Sequence, residues 1–149
     1  MIFFEAEIEN VKAFLALAEA DHTRDIQIVY DLRETNFRIP QLSLEPIVEN
    51  AVKHGIGEEG GTITISSYRE GDNYIVRTKD SGNGPGGVSE KESGRLAVGI
   101  ANTRKRLELL CGGRLSINIT PEGTTADIII PVTGHEHTPL DETNRTGAD

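Results

Sequence analysis

The sequence predicts a two-layer α/β sandwich, in which helices cover one face of a mixed, mostly antiparallel sheet. Segments with helical and strand periodicity follow one another in the order helix, strand, helix, two strands, helix, two strands. This order is typical of a single sheet with its helices on one side. The chain has 149 residues, of which 36% are hydrophobic and 26% charged, which suits one soluble domain with a core of its own.

The first element is an amphipathic helix over residues 3–20. Its apolar side chains recur at spacings of three and four residues, and they are Phe4, Ile8, Val11, Leu15 and Ala18. Phe3, Phe14 and Leu17 widen this stripe, so the helix packs either on its own domain or on something outside this chain. A strand with alternating apolar side chains follows over residues 25–32.

The second helix is predicted over residues 41–54, with Pro46 in its first turn, where a missing N–H costs least. Its buried side consists of Leu44, Ile47, Val48, Ala51 and Val52. On the polar side, Asn50, Lys53 and His54 are three and four residues apart and share a face. An amide oxygen, a cation and an imidazole in one stripe could hold a metal ion and phosphate groups. The alternative is a solvated helix face, on which Lys53 pairs with the acid four residues before it.

A glycine-rich segment follows two β-branched strands, residues 62–69 and 74–79. It begins Asp80-Ser81-Gly82-Asn83-Gly84. Alternating glycines let a flat ligand approach the backbone, and the carboxylate can accept a hydrogen bond from an exocyclic amine such as that of adenine. The alternative is a simple glycine-rich turn. The whole irregular stretch from Asp80 to Gly99 has the length of a lid or a binding loop.

The third helix is predicted over residues 100–111, with Gly99 at its start. Free N–H groups and the helix dipole at such an end favour an anion. Arg104, Lys105 and Arg106 add positive charge one to two turns further along, where some of them face solvent or bind an acidic partner. The segment does not match the Walker pattern or the dinucleotide-binding fingerprint.

The chain closes with two alternating strands, residues 115–120 and 126–130, and a segment without apolar periodicity, residues 133–149. The last segment contains four acidic residues and one basic residue, and we expect it to be disordered.

Charge and cysteine content exclude several classes of function. A net charge of −9 disfavours non-specific binding to nucleic acid or to an anionic membrane. The single cysteine, Cys111, excludes an internal disulfide and a multi-cysteine zinc site. The chain has no signal-peptide pattern and no apolar run of about 18 residues. We expect a cytoplasmic location, with any membrane anchor of the parent protein outside this segment.

Taken in this order, the clusters resemble the ATP-binding domain of sensor histidine kinases, and most closely its LytS-type branch. Residues 44–55 resemble the N box, residues 80–84 the first glycine box and residues 98–107 the second, while Gly123-Thr124-Thr125 resembles the start of the closing strand. The resemblance implies the Bergerat-type fold of the gyrase, chaperone and histidine-kinase superfamily, with ATP and Mg²⁺ as ligands. It also implies three segments, namely residues 1–24 as a transition helix, 25–132 as the catalytic domain and 133–149 as an acidic tail.

The resemblance also implies a role for each matching residue. Asn50 corresponds to the magnesium ligand, and Asp80 corresponds to the acid that holds the adenine amine. The remaining nucleotide-binding positions are Lys53 and His54 near the phosphates, Gly82 and Gly84 along the adenine pocket, Gly99 and Ile100 at the phosphate end of the lid, and Thr124, whose hydroxyl supports the adenine. Residues 85–98 correspond to the ATP lid. No general acid or base is implied within this chain.

The implied partner is the dimerisation domain of the same parent kinase, which carries the phosphoacceptor histidine, with a response regulator as an indirect partner. None of the four histidines of this chain lies in a sequence like that of the acceptor helix. Two alternatives stay open. One is an ATP-hydrolysing relative, although Pro46 occupies the position of its general base. The other is a degenerate regulatory module, because Ala97 replaces the first glycine of the second glycine box.

Overall fold

The computed structural model describes residues 1–21, 23–56, 60–81 and 90–132, without the side chains of His54 and of residues 90–98. The expectations for Gly82, Gly84 and the acidic tail therefore lie outside the described residues, as do those for the first part of the lid.

The main sheet has five strands: β2 (Asp25–Leu32), β4 (Gly60–Glu70), β5 (Asn73–Asp80), β6 (Arg114–Thr120) and β7 (Gly123–Pro131). Their spatial order is β2-β4-β5-β7-β6. The β2–β4 pair is parallel and the other three pairs are antiparallel. This arrangement confirms the predicted mixed, mostly antiparallel sheet.

A second sheet of two short strands was not expected from the sequence. β1 (Ile2–Phe3) pairs antiparallel with β3 (Arg38–Ile39). Two residues are too few to show a periodicity, so only the fold brings them together. The pair fixes the start of α1 (Phe4–Glu19), because the Phe4 N–H also donates to the Phe37 carbonyl.

The core lies between one face of the sheet and the helices. Strand residues on this face include Ile63, Ile65, Val76, Ile128 and Ile130, all fully buried. The stripe predicted for α1 is confirmed where Phe4, Ile8, Val11 and Leu15 are buried, whereas Phe3 and Leu17 stay exposed. The other face of the sheet is more polar, and there Arg77 forms a two-point ion pair with Asp127. This pair raises the pKa of the Arg77 guanidinium.

The second helix differs from the prediction at both ends. Residues 41–44 form a turn, and the α-helix α2 covers only Glu45–Asn50. It continues as a π-helical turn, Ala51–Gly55, closed by a bond from the Ile56 N–H to the Ala51 carbonyl. Pro46 does lie in the first turn of α2. The wider π turn breaks the regular spacing on which a common face for Asn50, Lys53 and His54 was argued.

The third helix starts earlier than predicted. The helix α3 covers Glu90–Cys111, so the expectation of an irregular segment up to Gly99 is wrong for residues 90–99. Gly99 was expected to open the helix, but it lies inside. A glycine costs only about 1 kcal/mol within a helix, so its presence did not stop the helix from extending toward Glu90. No helix in the described parts of the chain combines the length and apolarity needed to cross a bilayer.

Candidate functional site

Asp80 is the last residue of β5 and is buried, with 4% of its surface exposed. It lies opposite Ile63 of β4. The Thr124 backbone N–H donates to Asp80 Oδ1 over 3.1 Å. This bond is made by the Thr124 backbone, and the expected role of the Thr124 hydroxyl at the adenine stays a prediction. The carboxylate is thus held by the first residues of β7.

Gly123 allows β7 to approach Asp80 closely enough for this bond. It was not among the site residues predicted from the sequence. Its φ is 146°, and a Cβ atom at this position would lie 2.0 Å from the Asp80 carbonyl oxygen and 3.2 Å from Oδ1. Any other residue would push the two backbones apart. The only signal in the sequence is a glycine directly before Thr124 at a strand start.

Ser81 fixes the direction in which the chain leaves β5. Its N–H donates to the Thr62 carbonyl over 3.0 Å, and its Oγ accepts from the Thr62 N–H over 2.9 Å. The serine therefore extends the pairing with β4 by one residue beyond Asp80. Ser81 thus has a structural role at the start of the glycine-rich segment.

Two buried side-chain oxygens have no hydrogen-bond partner among the described residues, and both lie near this end of the fold: Asn50 Oδ1 and Thr78 Oγ1. Thr78 lies two residues before Asp80 on the same face of β5, with 4% of its surface exposed. Buried polar atoms without partners are uncommon and costly. A ligand bound at the predicted site would supply the partners that these two atoms lack among the described residues.

Asn50 is the last residue of α2. The π-helical turn that follows it contacts both β5 and β7. The turn is also held by Arg24, the residue directly before β2, whose Nη1 donates to the Val52 carbonyl over 2.8 Å. The turn that follows Asn50 therefore packs on β5, which ends at Asp80, and on β7, which binds the Asp80 carboxylate.

Lys53 and Glu49 form an ion pair with 3.0 Å between Nζ and Oε2, and both side chains are about half exposed. The surface pair that the sequence offered as an alternative is thus present. A contact of Lys53 or His54 with phosphates stays a prediction, and the His54 side chain is outside the described residues.

Gly99 and Ile100 lie within α3, and a Cβ atom added at Gly99 would meet no atom within 4 Å. The anion site expected at a helix start therefore does not form at Gly99 in this structure, because its N–H lies within the helix. The space beside Gly99 is open, and a role for Gly99 and Ile100 in nucleotide binding stays a prediction.

The basic cluster of α3 divides into two parts. Arg106 donates to the Gln41 and Leu42 carbonyls, in the turn before α2. Arg104 and Lys105 line a groove of about 500 Å³ between α3 and β6. This groove does not include Asn50 or Asp80.

The donor set fits Mg²⁺ bound together with phosphate groups. Magnesium prefers oxygen ligands, and it keeps several waters and substrate phosphates when the protein supplies only one or two ligands. Asn50 Oδ1 is a buried oxygen without a hydrogen-bond partner in the part of the chain that the structure describes. The described residues contain no group of three or more histidine, cysteine or acidic side chains that could hold a metal alone.

Comparison with known proteins shows that the chain is similar in sequence to sensor histidine kinases. No protein-family model matches the chain. The chain is 31% identical to YwpD of Bacillus subtilis over 96% of its length and 55% of that protein. It is 30% identical to the sensor histidine kinase YpdA of Escherichia coli over 93% of its length and 26% of that protein. It is also 30% identical to the sensor protein LytS of Streptococcus mutans, over 87% and 25%. The chain thus spans between a quarter and about half of these relatives.

Solved structures show the same fold at low sequence identity. The catalytic domain of histidine kinase ThkA matches with a TM-score of 0.63 and 19% identity, over 87% of this chain and 94% of that domain. The blue-light activated histidine kinase EL346 of Erythrobacter litoralis matches with a TM-score of 0.68 and 19% identity, over 91% and 43%.

Proposed function

The chain belongs to the catalytic domains of LytS-type sensor histidine kinases, and from this premise we propose that it positions Mg-ATP for phosphoryl transfer to a histidine on a separate dimerisation domain. ATP supplies the phosphoryl group, and Mg²⁺ offsets the charge on its phosphates. The observation that carries the proposal is the combination of a buried acid, Asp80, with a buried oxygen of Asn50 that has no partner among the described residues, directly before the π-helical turn that packs on β5.

In this proposal Asp80 selects adenine. Its carboxylate accepts a hydrogen bond from the exocyclic amine, and guanine, which presents a carbonyl oxygen at the same position, is disfavoured because two acceptors would face each other. The Thr124 N–H and the close approach of Gly123 support this choice by fixing the carboxylate. Gly82 and Gly84 would let the base approach the backbone.

Asn50 is proposed as the magnesium ligand, with Lys53, His54, Gly99 and Ile100 toward the phosphates. Phosphoryl transfer depends mainly on positioning and on charge stabilisation, so no residue of this chain has to act as an acid or base. Pro46 has no titratable side chain, and nothing in α2 replaces it as a base one turn before Asn50. We therefore expect little hydrolysis of ATP by this chain.

The partner is proposed to be the dimerisation domain of the parent kinase, which α1 would join to the catalytic domain. The experiment uses radiolabelled ATP with this chain alone, then with the separately produced dimerisation domain, and then with that domain after its acceptor histidine is changed to alanine. We expect label only on the intact added domain. Rapid hydrolysis without a partner, or stable label on this chain alone, would refute the proposal. ATP binding without any transfer would favour a degenerate module.

A further inference from the structure

Glu7 is a charged residue in the interior of the protein, with 1% of its surface exposed. It lies on α1, and its two carboxylate oxygens accept separate hydrogen bonds from the turn before α2. The Leu42 N–H donates to Oε1 over 3.1 Å, and the Leu44 N–H donates to Oε2 over 2.9 Å. Burying a carboxylate is costly unless hydrogen bonds compensate for the lost water. The two bonds therefore favour one position of the turn relative to α1.

The turn that Glu7 binds has an unfavourable backbone. Leu42 has a φ of 63°, the only positive value among the described residues other than glycine. A left-handed conformation costs a residue with a Cβ roughly 1–2 kcal/mol. The Leu42 N–H bond to Glu7 helps to hold this conformation, and Leu44 is the residue that directly precedes α2.

Arg106 of α3 binds the same turn through its carbonyl groups. Its guanidinium donates to the Leu42 carbonyl over 3.4 Å and to the Gln41 carbonyl. The carboxylate of Glu7 on α1 thus accepts from N–H groups of this turn, and the guanidinium of Arg106 on α3 donates to its C=O groups. No side chain of the turn caps α2, and these two residues from other helices hold the backbone directly before it, together with the bonds of Ser43 to the Pro40 carbonyl.

We propose that Glu7 is a positioning residue for Asn50, so that the response of the nucleotide site to Mg²⁺ depends on α1. The helix α2 has only six residues, and Asn50 ends it. A shift at its start is therefore passed along less than two turns to the Asn50 oxygen. This inference rests on the proposed function, because it needs Asn50 to be the magnesium ligand.

The contacts described for Asp80 come from β4 and β7, and none of them comes from α1. The position of Asp80 follows from the pairing of β5 with β4 and from the contact with β7, and Glu7 bonds to neither strand through the contacts described above. Disturbing Glu7 should therefore affect the magnesium side of the site and spare the adenine side. A general loss of folding would affect both sides alike, so the two effects can be separated.

The test is Glu7→Gln in the full chain. Glutamine keeps the size of the side chain but offers one acceptor oxygen and an NH₂ group, so one of the two backbone N–H groups would face a donor. We expect the midpoint of the Mg²⁺ titration of ATP binding to rise about tenfold, because changing a residue that orients a metal ligand typically weakens metal binding by this much or more. Binding of ATP without Mg²⁺ should change less than about twofold.

The matched control is Glu9→Gln, the same change on the same helix at an exposed residue that pairs with Lys12. It should leave both titrations unchanged. A second readout without nucleotide is the NMR signal of the Asn50 side-chain amide, which should shift in Glu7→Gln and not in Glu9→Gln. If Glu7→Gln does not fold, Arg106→Gln, which acts on the same turn from an exposed position, should give the same selective shift.

An unshifted Mg²⁺ midpoint in the folded Glu7→Gln variant, or an equal loss with and without Mg²⁺, would overturn the inference and leave the proposed function intact. If the unaltered chain itself shows no Mg²⁺-dependent ATP binding, the proposed function fails, and the inference fails with it.

Discussion

Asp80 and Asn50 are held in place by different kinds of contact. Asp80 ends a strand in the middle of the sheet, where its backbone pairs with β4 and its carboxylate accepts from the Thr124 N–H of β7. Asn50 ends a six-residue helix, and single side chains bind the backbone on either side of that helix: Glu7 of α1 and Arg106 of α3 before it, and Arg24, directly before β2, after it. The acid side of the site should therefore be rigid, and the amide side should respond to changes elsewhere in the molecule.

The largest effect should come from Gly123→Ala, which breaks the rigid side. The new Cβ atom would lie 2.0 Å from the Asp80 carbonyl oxygen, at a φ of 146°. Overpacking and backbone strain should together lower the free energy of unfolding by roughly 2–4 kcal/mol, measured by urea denaturation, and ATP binding should be lost. The control is Gly71→Ala, where φ is 60° and no atom lies within 4 Å. That variant should lose only about 1 kcal/mol, and equal losses in both variants would show that the close approach to Asp80 does not matter.

Asp80→Asn should disturb the same side without unfolding it. The amide oxygen can still accept from the Thr124 N–H, but the NH₂ group then faces the adenine amine. We expect ATP affinity to fall about tenfold or more and the preference for adenine over guanine to shrink, as measured by calorimetric titration with both nucleotides. Asp72→Asn, at the opposite end of the β4–β5 hairpin, should behave like the unaltered chain. Unchanged isotherms for both nucleotides would remove Asp80 from the site.

Asn50→Ala should act on the amide side of the site. Its Oδ1 loses no hydrogen bond to any described residue, so the free energy of unfolding should stay within about 1 kcal/mol. The Mg²⁺ titration of ATP binding should shift about fivefold to tenfold, in line with the loss of one ligand. Glu49→Ala, the exposed neighbour on the same helix, should leave the Mg²⁺ midpoint where it is. If Asn50→Ala keeps the original titration, Asn50 belongs to a structural face of α2.

The smallest effect is expected from Lys53→Ala. The pair of Lys53 with Glu49 is exposed, so its loss should change stability by less than about 0.5 kcal/mol. If Lys53 also lies near the phosphates, ATP affinity should fall about twofold to threefold at low salt, and the difference should shrink as salt is added. Lys12→Ala removes another exposed lysine paired on a helix, remote from the site, and should leave ATP affinity unchanged. Equal ATP affinities for the two variants at every salt concentration would limit Lys53 to its surface pair.

The difference between the two sides also explains which features the sequence predicted. The strand pattern gave β2 over residues 25–32 and placed Asp80 at the end of β5. Side chains alternate along a strand with a period of two residues, so each strand carries its own signal. The stripe of α1 was predicted for the same reason, since Ile8, Val11 and Leu15 are spaced as a helix requires.

Around Asn50 the prediction was less accurate. The sequence indicated one regular helix over residues 41–54, whereas the protein has a turn, a short α-helix and a π-helical turn. The start of α3 at Glu90 was also missed, because glycines and charges near Gly99 indicated a loop. A local pattern can state that a residue is suited to a helix, but it cannot state which neighbouring element will tie down the helix end.

The sequence by itself determined most strand segments of the main sheet and which of their faces enter the core, because these follow from periods of two and 3.6 residues along the chain. Only the tertiary structure decided that Gly123 touches Asp80, that Glu7 binds the turn before α2 and that Arg106 reaches the same turn. The bonds at this turn join residues that are 35 to 65 positions apart in the sequence. A local pattern cannot predict such a contact, because the contact forms only when two distant segments meet in the folded protein.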